Sequence, residues 1–218
     1  MPVCGKIDTN RSSGVQPAIH HGVRFFARSC NTSSAAVLAE TRMLHVQPDF
    51  GKLSPDAPRE LAAFAFLIGS WQCNARIKTP TGDWQRFDAD WLGRFILDGH
   101  AIADEYRMTT LSGELIILGL NIRSFDNASH TWNIRWLNAL TGSWSDLISP
   151  ELGDVQISEA PDGSSSVTYA FNEPTASHPY TRATYTSHSP THFTWKGDQS
   201  ADAQTWTDFM LVECYRND

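Results

Sequence analysis

Apolar and polar residues alternate along much of the chain after residue 70. In the segment 71–77 every odd-numbered residue is apolar and every even-numbered residue is polar, and Phe87, Ala89 and Trp91 continue the same alternation further on. A period of two is typical of β-strands with one buried face. No helix-length periodic segment occurs in this part of the chain. The pattern therefore predicts an all-β domain.

Turn-forming residues separate these alternating segments at a nearly even spacing. They are Thr81-Gly82-Asp83, Asp98-Gly99, Ser112-Gly113, Asp126-Asn127, Thr141-Gly142, Gly153-Asp154, Asp162-Gly163, Ser189-Pro190 and Gly197-Asp198. Runs of about eight to twelve residues between such turns are typical of successive antiparallel hairpins. We therefore predict a closed antiparallel up-and-down β-barrel. The segment Asn172–Tyr180, bracketed by Pro174 and Pro179, is predicted to form a loop at its rim.

A short helix is predicted before the first strand. Ser54-Pro55-Asp56 combines an N-cap residue, a proline suited to the first helical position and an acidic residue near the positive end of the helix dipole. Apolar residues then recur at intervals of three and four, at Leu61, Phe64, Ala65 and Ile68. One apolar face favours a position across an open end of the barrel. Gly69 is predicted to end this helix.

The chain divides into a tail and a domain. Residues 1–53 are predicted to be a disordered tail, and residues 54–218 the barrel. Residues 1–42 are rich in Ser, Asn and Ala and carry net positive charge, whereas the remainder carries the acidic excess. Three interpretations fit this segment: a flexible appendage, a transit-like sequence, or translated sequence upstream of a true start at Met43. We favour the third.

Composition excludes several classes of partner. A formal net charge of −7 disfavours nucleic acid, which needs clustered basic residues. No apolar stretch approaches the roughly 20 residues needed to cross a bilayer. Cys4, Cys30, Cys73 and Cys214 show no CxxC spacing, and no secretory signal is recognisable. The sequence therefore predicts reduced, buried thiols in a cytoplasmic protein.

Six segments resemble a known family. Gly69-Ser70-Trp71 opens the domain and Glu213–Arg216 closes it, as in the calycin superfamily, where a first-strand Trp packs against an Arg of the last strand. Four more segments are similar to the lipocalin-like DUF1579 family, which has no agreed reaction: Gly93–Gly99, Ala103–Arg107, Trp132–Leu137 and Phe193–Asp198. The resemblance covers about Pro58–Arg216. It implies a barrel with an internal cavity and structural roles for Trp71 and Arg216.

No cofactor or metal is predicted. More distant relatives with a similar opening bind haem through an axial His near the C-terminus, but Thr207–Glu213 contains no His. The domain's histidines lie in or beside predicted turns, without a spacing that binds metal. They are His100, His130, His178, His188 and His192.

Strands that break the alternation carry the candidate ligand-binding residues. Ala103–Met108 and Thr131–Asn138 place polar residues on both faces, and ligand cavities need a few polar groups among apolar ones. The candidates are Tyr106, Arg107, Arg123, Trp136, Asn138, Arg182, Trp195 and Tyr215. Arg123, Asn138 and Arg182 are favoured as anchors, because an unpaired Arg receives a carboxylate or phenolate through two hydrogen bonds. A buried Arg paired with an acid is the structural alternative.

Three functions are compatible with this barrel. The leading hypothesis is a carrier that holds a small apolar or amphipathic metabolite. The second is a cofactor-independent acid–base enzyme in which Glu105 or Glu213, with a pKa raised by a dry interior, moves a proton. The third is a barrel filled by its own side chains that acts through its surface or as a homodimer. Whether the protein is an enzyme is left open.

Overall fold

Regular structure in the computed structural model is almost entirely antiparallel β-sheet. The structure describes residues 49–172 and 179–217. Within these ranges eleven strands belong to one sheet. Their bounds are β1 (Gly69–Lys78), β2 (Trp84–Ile96), β3 (Ala101–Thr109), β4 (Leu115–Asp126), β5 (Thr131–Asn138), β6 (Ser143–Asp146), β7 (Gln156–Glu159), β8 (Ser165–Asn172), β9 (Tyr180–Ser189), β10 (His192–Ser200) and β11 (Thr207–Arg216). The predicted all-β class is confirmed.

Several predictions lie outside the described residues: most of the tail over residues 1–53, the start at Met43, and most of the rim loop Asn172–Tyr180. Residues 49–53 are described and run beside β2. The backbone N–H of Phe95 donates to the carbonyl oxygen of Phe50 at 2.8 Å, and that of Ser54 donates to Gly99 at 3.3 Å. Residues 50 and 54 therefore hydrogen-bond to β2 and to the turn after it.

The strands follow an up-and-down order but do not close into a continuous barrel. The sheet runs β6-β5-β4-β3-β2-β1-β11-β10-β9-β8-β7, so the first and last strands pair with each other. In the described part of the chain, β6 and β7 each have one strand neighbour. Both are short, with four residues apiece and every residue exposed. The expected closed barrel is therefore an open, curled sheet whose edges are β6 and β7.

Residues 147–152 cross the gap between the two halves of the sheet. The backbone N–H of Leu147 donates to Ile134 of β5 at 2.8 Å, and that of Ser149 donates to Ala170 of β8 at 3.3 Å. The Ser149 hydroxyl accepts a hydrogen bond from the Asn172 backbone N–H at 2.9 Å. Irregular backbone here satisfies polar groups that a strand pair would otherwise satisfy.

The helix before β1 is a 3-10 helix, Arg59–Leu67, that begins after Pro58 rather than at Ser54. Its buried side chains are Leu61, Phe64 and Leu67. This spacing of three matches the three residues per turn of a 3-10 helix, whereas the predicted face with Ala65 and Ile68 assumed an α-helical turn. No helix among the described residues is long and apolar enough to span a bilayer.

The 3-10 helix fills one end of the curled sheet with aromatic contacts. The Phe64 ring meets Trp132 at 5.1 Å and Tyr185 at 5.8 Å, both nearly perpendicular. Phe193 packs edge-on against Trp71 at 4.8 Å and against Trp91 at 5.6 Å. Such edge-to-face pairs add to the stabilisation from burial. We call this aromatic core and the helix the packed end.

The two cysteines of the domain form a disulfide. Cys73 of β1 and Cys214 of β11 face each other across the strand pair, and their sulfur atoms are bonded. The expectation of reduced thiols was wrong for this pair because facing positions of the first and last strands, 141 residues apart in sequence, become neighbours only in the folded sheet. Both residues are buried.

Candidate functional site

A half-open cavity of about 270 Å³ lies at the other end of the sheet. Its wall includes residues near the start of β4, β9 and β11 and near the end of β5 and β8, away from the 3-10 helix. The wall residues are Trp91, Tyr106, Ile116, Ile117, Asn121, Trp136, Asn138, Leu147, Tyr169, Phe171, Thr181, Ala183, Tyr185, Trp195, Phe209, Met210 and Val212. We call this region the cavity end.

The cavity wall is aromatic and carries no charged side chain among the described residues. Eight of its members are Trp, Tyr or Phe. Gly119 leaves room for one of them, since a Cβ atom at this glycine would collide with the Trp136 ring. Burial raises the pKa of the Tyr106 and Tyr169 hydroxyls above the usual tyrosine range, so both stay neutral. The wall therefore offers apolar surface and uncharged polar groups.

Three wall residues each hold a buried polar atom that has no hydrogen-bond partner in the described part of the chain. These atoms are Trp91 Nε1, the Tyr106 hydroxyl and Asn121 Oδ1. Trp91 and Tyr106 face each other across β2 and β3, with ring centroids 5.0 Å apart. An unpaired buried polar group costs about 1–3 kcal/mol. The cavity is the space that all three residues border.

A network of buried polar side chains extends from the cavity wall towards the packed end. Asn121 Nδ2 donates to Asp104 Oδ2 at 2.9 Å, and Asp104 forms an ion pair with Arg123. Arg123 Nη2 donates to the Tyr185 hydroxyl at 2.8 Å, and this hydroxyl lies 3.1 Å from that of Tyr169. Both charged side chains are 0% exposed. The two buried charges therefore compensate each other.

Arg123 is therefore not the unpaired anchor that the sequence suggested. Its guanidinium group pairs with Asp104, which the sequence analysis did not select, and lies over the Phe64 and Tyr185 rings at 4.9 and 5.3 Å. A charge that is compensated in this way is not available to a carboxylate ligand. Arg123 does not belong to the cavity wall.

Four of the predicted ligand-binding residues lie in the cavity wall: Tyr106, Trp136, Asn138 and Trp195. Asn138 also caps the turn after β5, because its Oδ1 accepts a hydrogen bond from the Leu140 backbone N–H at 3.0 Å. The structure thus brings together residues of β3, β5 and β10. Their role in ligand binding stays a prediction.

Three other candidates lie away from the cavity. Arg107 is exposed, because it has the opposite strand parity to Tyr106. Arg182 pairs with Asp198 at 2.9 Å and covers the Trp206 ring at 4.6 Å. Tyr215 is 46% exposed. The expected inward orientation was wrong for these three, since strand parity alone does not say which face is internal.

The two candidate catalytic carboxylates also lie on the outer face. Glu105 is exposed and lies 3.4 Å from Arg94. Glu213 is half-exposed and lies 3.9 Å from Arg76. Neither borders the cavity, so the structure does not bring them together as an internal acid–base pair. Among the described residues, no three His, Cys, Asp or Glu side chains cluster as metal ligands would.

Trp71 and Arg216 meet where β1 begins and β11 ends. The Arg216 guanidinium lies 4.3 Å from the Trp71 ring centroid, and its Nε donates to the Pro190 carbonyl at 3.0 Å. Trp71 Nε1 donates to Leu67 at 3.0 Å and so ties the strand to the 3-10 helix. Gly69 has a φ of +135°, and a Cβ atom there would collide with Arg216. The Gly-x-Trp motif thus leaves space for the guanidinium group.

Sequence reasoning missed several residues of the interior, among them Asn121, Tyr169 and Tyr185. Asn121 lies two residues from the candidate Arg123 in a strand that is otherwise mostly apolar, and both are buried. That spacing places them on one face and was a usable sign of an internal polar network. Tyr169 and Tyr185 give no such sign, because tyrosine is common on both faces of a strand.

A solved structure has a similar fold. The crystal structure of Rv2717c from M. tuberculosis matches with a TM-score of 0.53 and 13% identity, over 75% of this chain and 100% of that one. At this identity the likeness shows the fold alone. No family model matches the sequence, and no curated protein matches it.

Two further solved structures match more loosely. EF1p2_mFAP2b bound to DFHBI matches with a TM-score of 0.36 and 16% identity, over 71% of this chain and 97% of that one. The S-type phycobiliprotein lyase CPES from Guillardia theta matches with a TM-score of 0.45 and 10% identity, over 73% of this chain and 93% of that one.

Proposed function

We propose that this protein binds a small, largely apolar molecule in the cavity end of its sheet. The observation that carries the proposal is a cavity of about 270 Å³ whose wall includes three unpartnered buried polar atoms. Ligand pockets are mostly apolar with a few polar groups that orient the ligand. A structural core of this kind would instead be filled and have its polar groups paired.

Size limits the molecule that fits. Ligand pockets usually have volumes of about 300–1,000 Å³, and this cavity of about 270 Å³ lies just below that range. The third hypothesis, a sheet interior filled by its own side chains, is less favoured because the aromatic wall residues leave a cavity between them. A carrier role agrees better with the cavity than an acid–base reaction does, since both candidate carboxylates lie outside.

Native mass spectrometry on the protein purified from its own host tests the proposal. We expect a non-covalent adduct of low mass that is lost on denaturation. Ala183→Phe should abolish this adduct, because Ala183 is buried in the cavity wall and a benzyl group would occupy the cavity. Thr184→Phe, one residue along β9 and outside the wall, is the matched control.

The proposal fails if the wild-type protein carries no adduct and none of the small aromatic probes described below binds to it. It also fails if Ala183→Phe and Thr184→Phe retain the adduct equally. The same spectra show whether the native species is a monomer or the homodimer that the sequence left open.

Two finer predictions accompany this proposal. We propose membership of the DUF1579-type family on the segments quoted above. The cytoplasmic location predicted from the sequence conflicts with the Cys73–Cys214 bond of the structure, because disulfides are rare in the cytosol. Alkylating free thiols in denaturant at the moment of lysis decides this: labelled Cys73 and Cys214 would support the cytoplasmic location, whereas unlabelled cysteines would place the protein in an oxidising compartment.

A further inference from the structure

We infer that the cavity selects a neutral, planar aromatic molecule of one or two rings that carries both a hydrogen-bond acceptor and a hydrogen-bond donor. This inference rests on the proposed function and adds the chemical class of the ligand. Four observations carry it: the charge of the wall, the fixed orientation of Asn121, the adjoining donors, and the shape of the cavity.

The wall gives no compensation for a charged ligand. None of the described wall residues carries a charge, and the nearby Asp104 and Arg123 are paired with each other. Burial raises the pKa of the Tyr106 hydroxyl, which keeps this group from acting as a phenolate partner for a cation. A charge buried without a partner is strongly disfavoured. The described wall therefore disfavours any ligand that buries a charged group in the cavity.

The buried ion pair fixes which end of the Asn121 amide is left without a partner. The Asp104 carboxylate pairs with Arg123, and an ionised carboxylate only accepts hydrogen bonds. Asn121 therefore presents its NH₂ group to Asp104, at 2.9 Å, and its Oδ1 is left without a donor. This acceptor is covered by its neighbours in the described structure, so a ligand N–H or O–H group would satisfy it once the surrounding wall side chains shift.

Trp91 and Tyr106 call for the opposite kind of group, a hydrogen-bond acceptor on the ligand. Indole Nε1 only donates, and a phenolic hydroxyl both donates and accepts. Both atoms lack partners in the described structure, and the two residues adjoin each other across the strand pair. An uncharged carbonyl, hydroxyl or ring-nitrogen acceptor on the ligand would satisfy the Trp91 donor.

The aromatic wall and its volume set the ligand's shape. Trp, Tyr and Phe side chains from seven strands surround the cavity, and flat rings stack favourably on such surfaces. A dry apolar cavity of about 150 Å³ holds benzene. A cavity of about 270 Å³ therefore has room for one or two fused rings with a polar substituent.

Equilibrium dialysis at pH 7 with three two-ring probes tests the inference: naphthalene, neutral 2-naphthol and the 2-naphthoate anion. We expect 2-naphthol to bind about 2- to 10-fold more tightly than naphthalene, as one or two neutral hydrogen bonds would give. The 2-naphthoate anion should bind at least about 10-fold more weakly than 2-naphthol.

Variants of the wall groups show whether they cause this preference. Tyr106→Phe removes only the hydroxyl oxygen, whereas Trp91→Phe also removes the pyrrole part of the indole. Each should reduce the preference for 2-naphthol over naphthalene while retaining naphthalene binding, which also shows that each variant is folded. Tyr215→Phe removes an exposed hydroxyl outside the cavity and should leave both affinities unchanged.

The outcomes separate the inference from the function on which it rests. If 2-naphthoate binds as well as 2-naphthol, or if neither cavity variant changes the preference, the neutral donor–acceptor assignment is wrong while the cavity remains a binding site. If none of the three probes binds and the purified protein carries no adduct, the proposed function fails as well.

Discussion

The packed end and the cavity end of the sheet interior use the same residue types for different purposes. At the packed end Phe64, Trp132 and Tyr185 interlock at near-perpendicular angles. At the cavity end Trp136, Trp195 and Phe171 border a cavity of about 270 Å³. Aromatic residues thus fill one end of the interior and line the other.

Polar groups follow the same division. Arg123 is paired with Asp104 and Tyr185 at the junction with the packed end, although its Nε has no hydrogen-bond partner among the described residues. Trp91 Nε1 and the Tyr106 hydroxyl at the cavity wall have no partner at all in the described chain. Paired groups rigidify an interior, and unsatisfied groups are costly unless a ligand supplies the partner. The comparison predicts that stability is concentrated at the packed end, and that the proposed binding depends on the cavity end.

The largest expected effect comes from breaking the buried ion pair. Arg123→Met leaves Asp104 as an uncompensated buried charge and should lower the free energy of unfolding by about 3–5 kcal/mol. Urea denaturation followed by tryptophan fluorescence measures the loss. Because both partners are 0% exposed, solvent cannot screen the remaining charge.

An exposed ion pair provides the matched control for this variant. Arg135 and Asp146 lie 2.8 Å apart, with side chains 54% and 74% exposed. Arg135→Met should change stability by less than about 1 kcal/mol. The double variant Asp104→Leu with Arg123→Met should be more stable than Arg123→Met alone. Equal losses at Arg123 and Arg135 would show that the network does not stabilise the interior.

Truncating one aromatic ring at each end tests the comparison directly. Phe64→Ala opens a hole in a tightly packed region and should cost about 3–5 kcal/mol. Phe171→Ala enlarges an existing cavity, where the ring already lacks contacts on one side, and should cost about 1–2 kcal/mol less. Thermal and urea denaturation of both variants measure the difference, and a larger loss at Phe171 would contradict it.

Removing the Cys73–Cys214 bond should have the next largest effect. The double variant Cys73→Ala with Cys214→Ala loses a cross-link between residues 141 positions apart, and we expect a loss of about 2–4 kcal/mol. Adding a reductant to the wild-type protein should lower its urea midpoint in the same way and leave the double variant unchanged. A midpoint that is insensitive to reductant would mean that the cross-link contributes no stability.

Much of the sheet was predictable because its information is local. Alternation in β1 and β2 gave the buried faces of Trp71, Ala75 and Trp91 correctly, and turn residues separated the strands. The closure of the sheet was not predictable, since whether β6 and β7 pair depends on the packing of residues 147–152 between β5 and β8. The disulfide depends likewise on a pairing between distant strands.

The candidate site was only half predictable from the sequence. In β3 the sequence pointed to Glu105 and Arg107 as well as Tyr106, although adjacent residues of a strand face opposite sides. The structure buries Asp104 and Tyr106 and exposes the other two. The physical reason is that Asp104 gains a buried partner in Arg123, a pairing between β3 and β4 that strand parity alone does not reveal.

The smallest expected effect lies on the outer surface and serves as a reference for the interior variants. Partial burial, and then the charge of His188, lower the pKa of His192 from its ordinary value. Its ring stacks between His188 at 4.7 Å and Tyr215 at 4.6 Å. As the pH falls, His192 is therefore protonated in the unfolded chain before it is protonated in the folded protein. The contribution of neutral His192 to stability is fully present above its pKa in the unfolded chain and is lost as the pH falls towards its pKa in the folded protein.

Thermal denaturation at pH 7.5 and pH 5.5 measures this decline. We expect a lower melting temperature at pH 5.5, and a smaller difference between the two pH values in His192→Gln than in the wild-type protein. His100→Gln, at an exposed turn, is the matched control and should keep the wild-type difference. Carboxylates such as Asp202, whose pKa hydrogen bonds lower to about 2, titrate below this window. A melting-temperature difference that is unchanged in His192→Gln would assign the pH dependence to another group.

The stability loss expected for Arg123→Met should be the same at both pH values, because its cause lies in the interior.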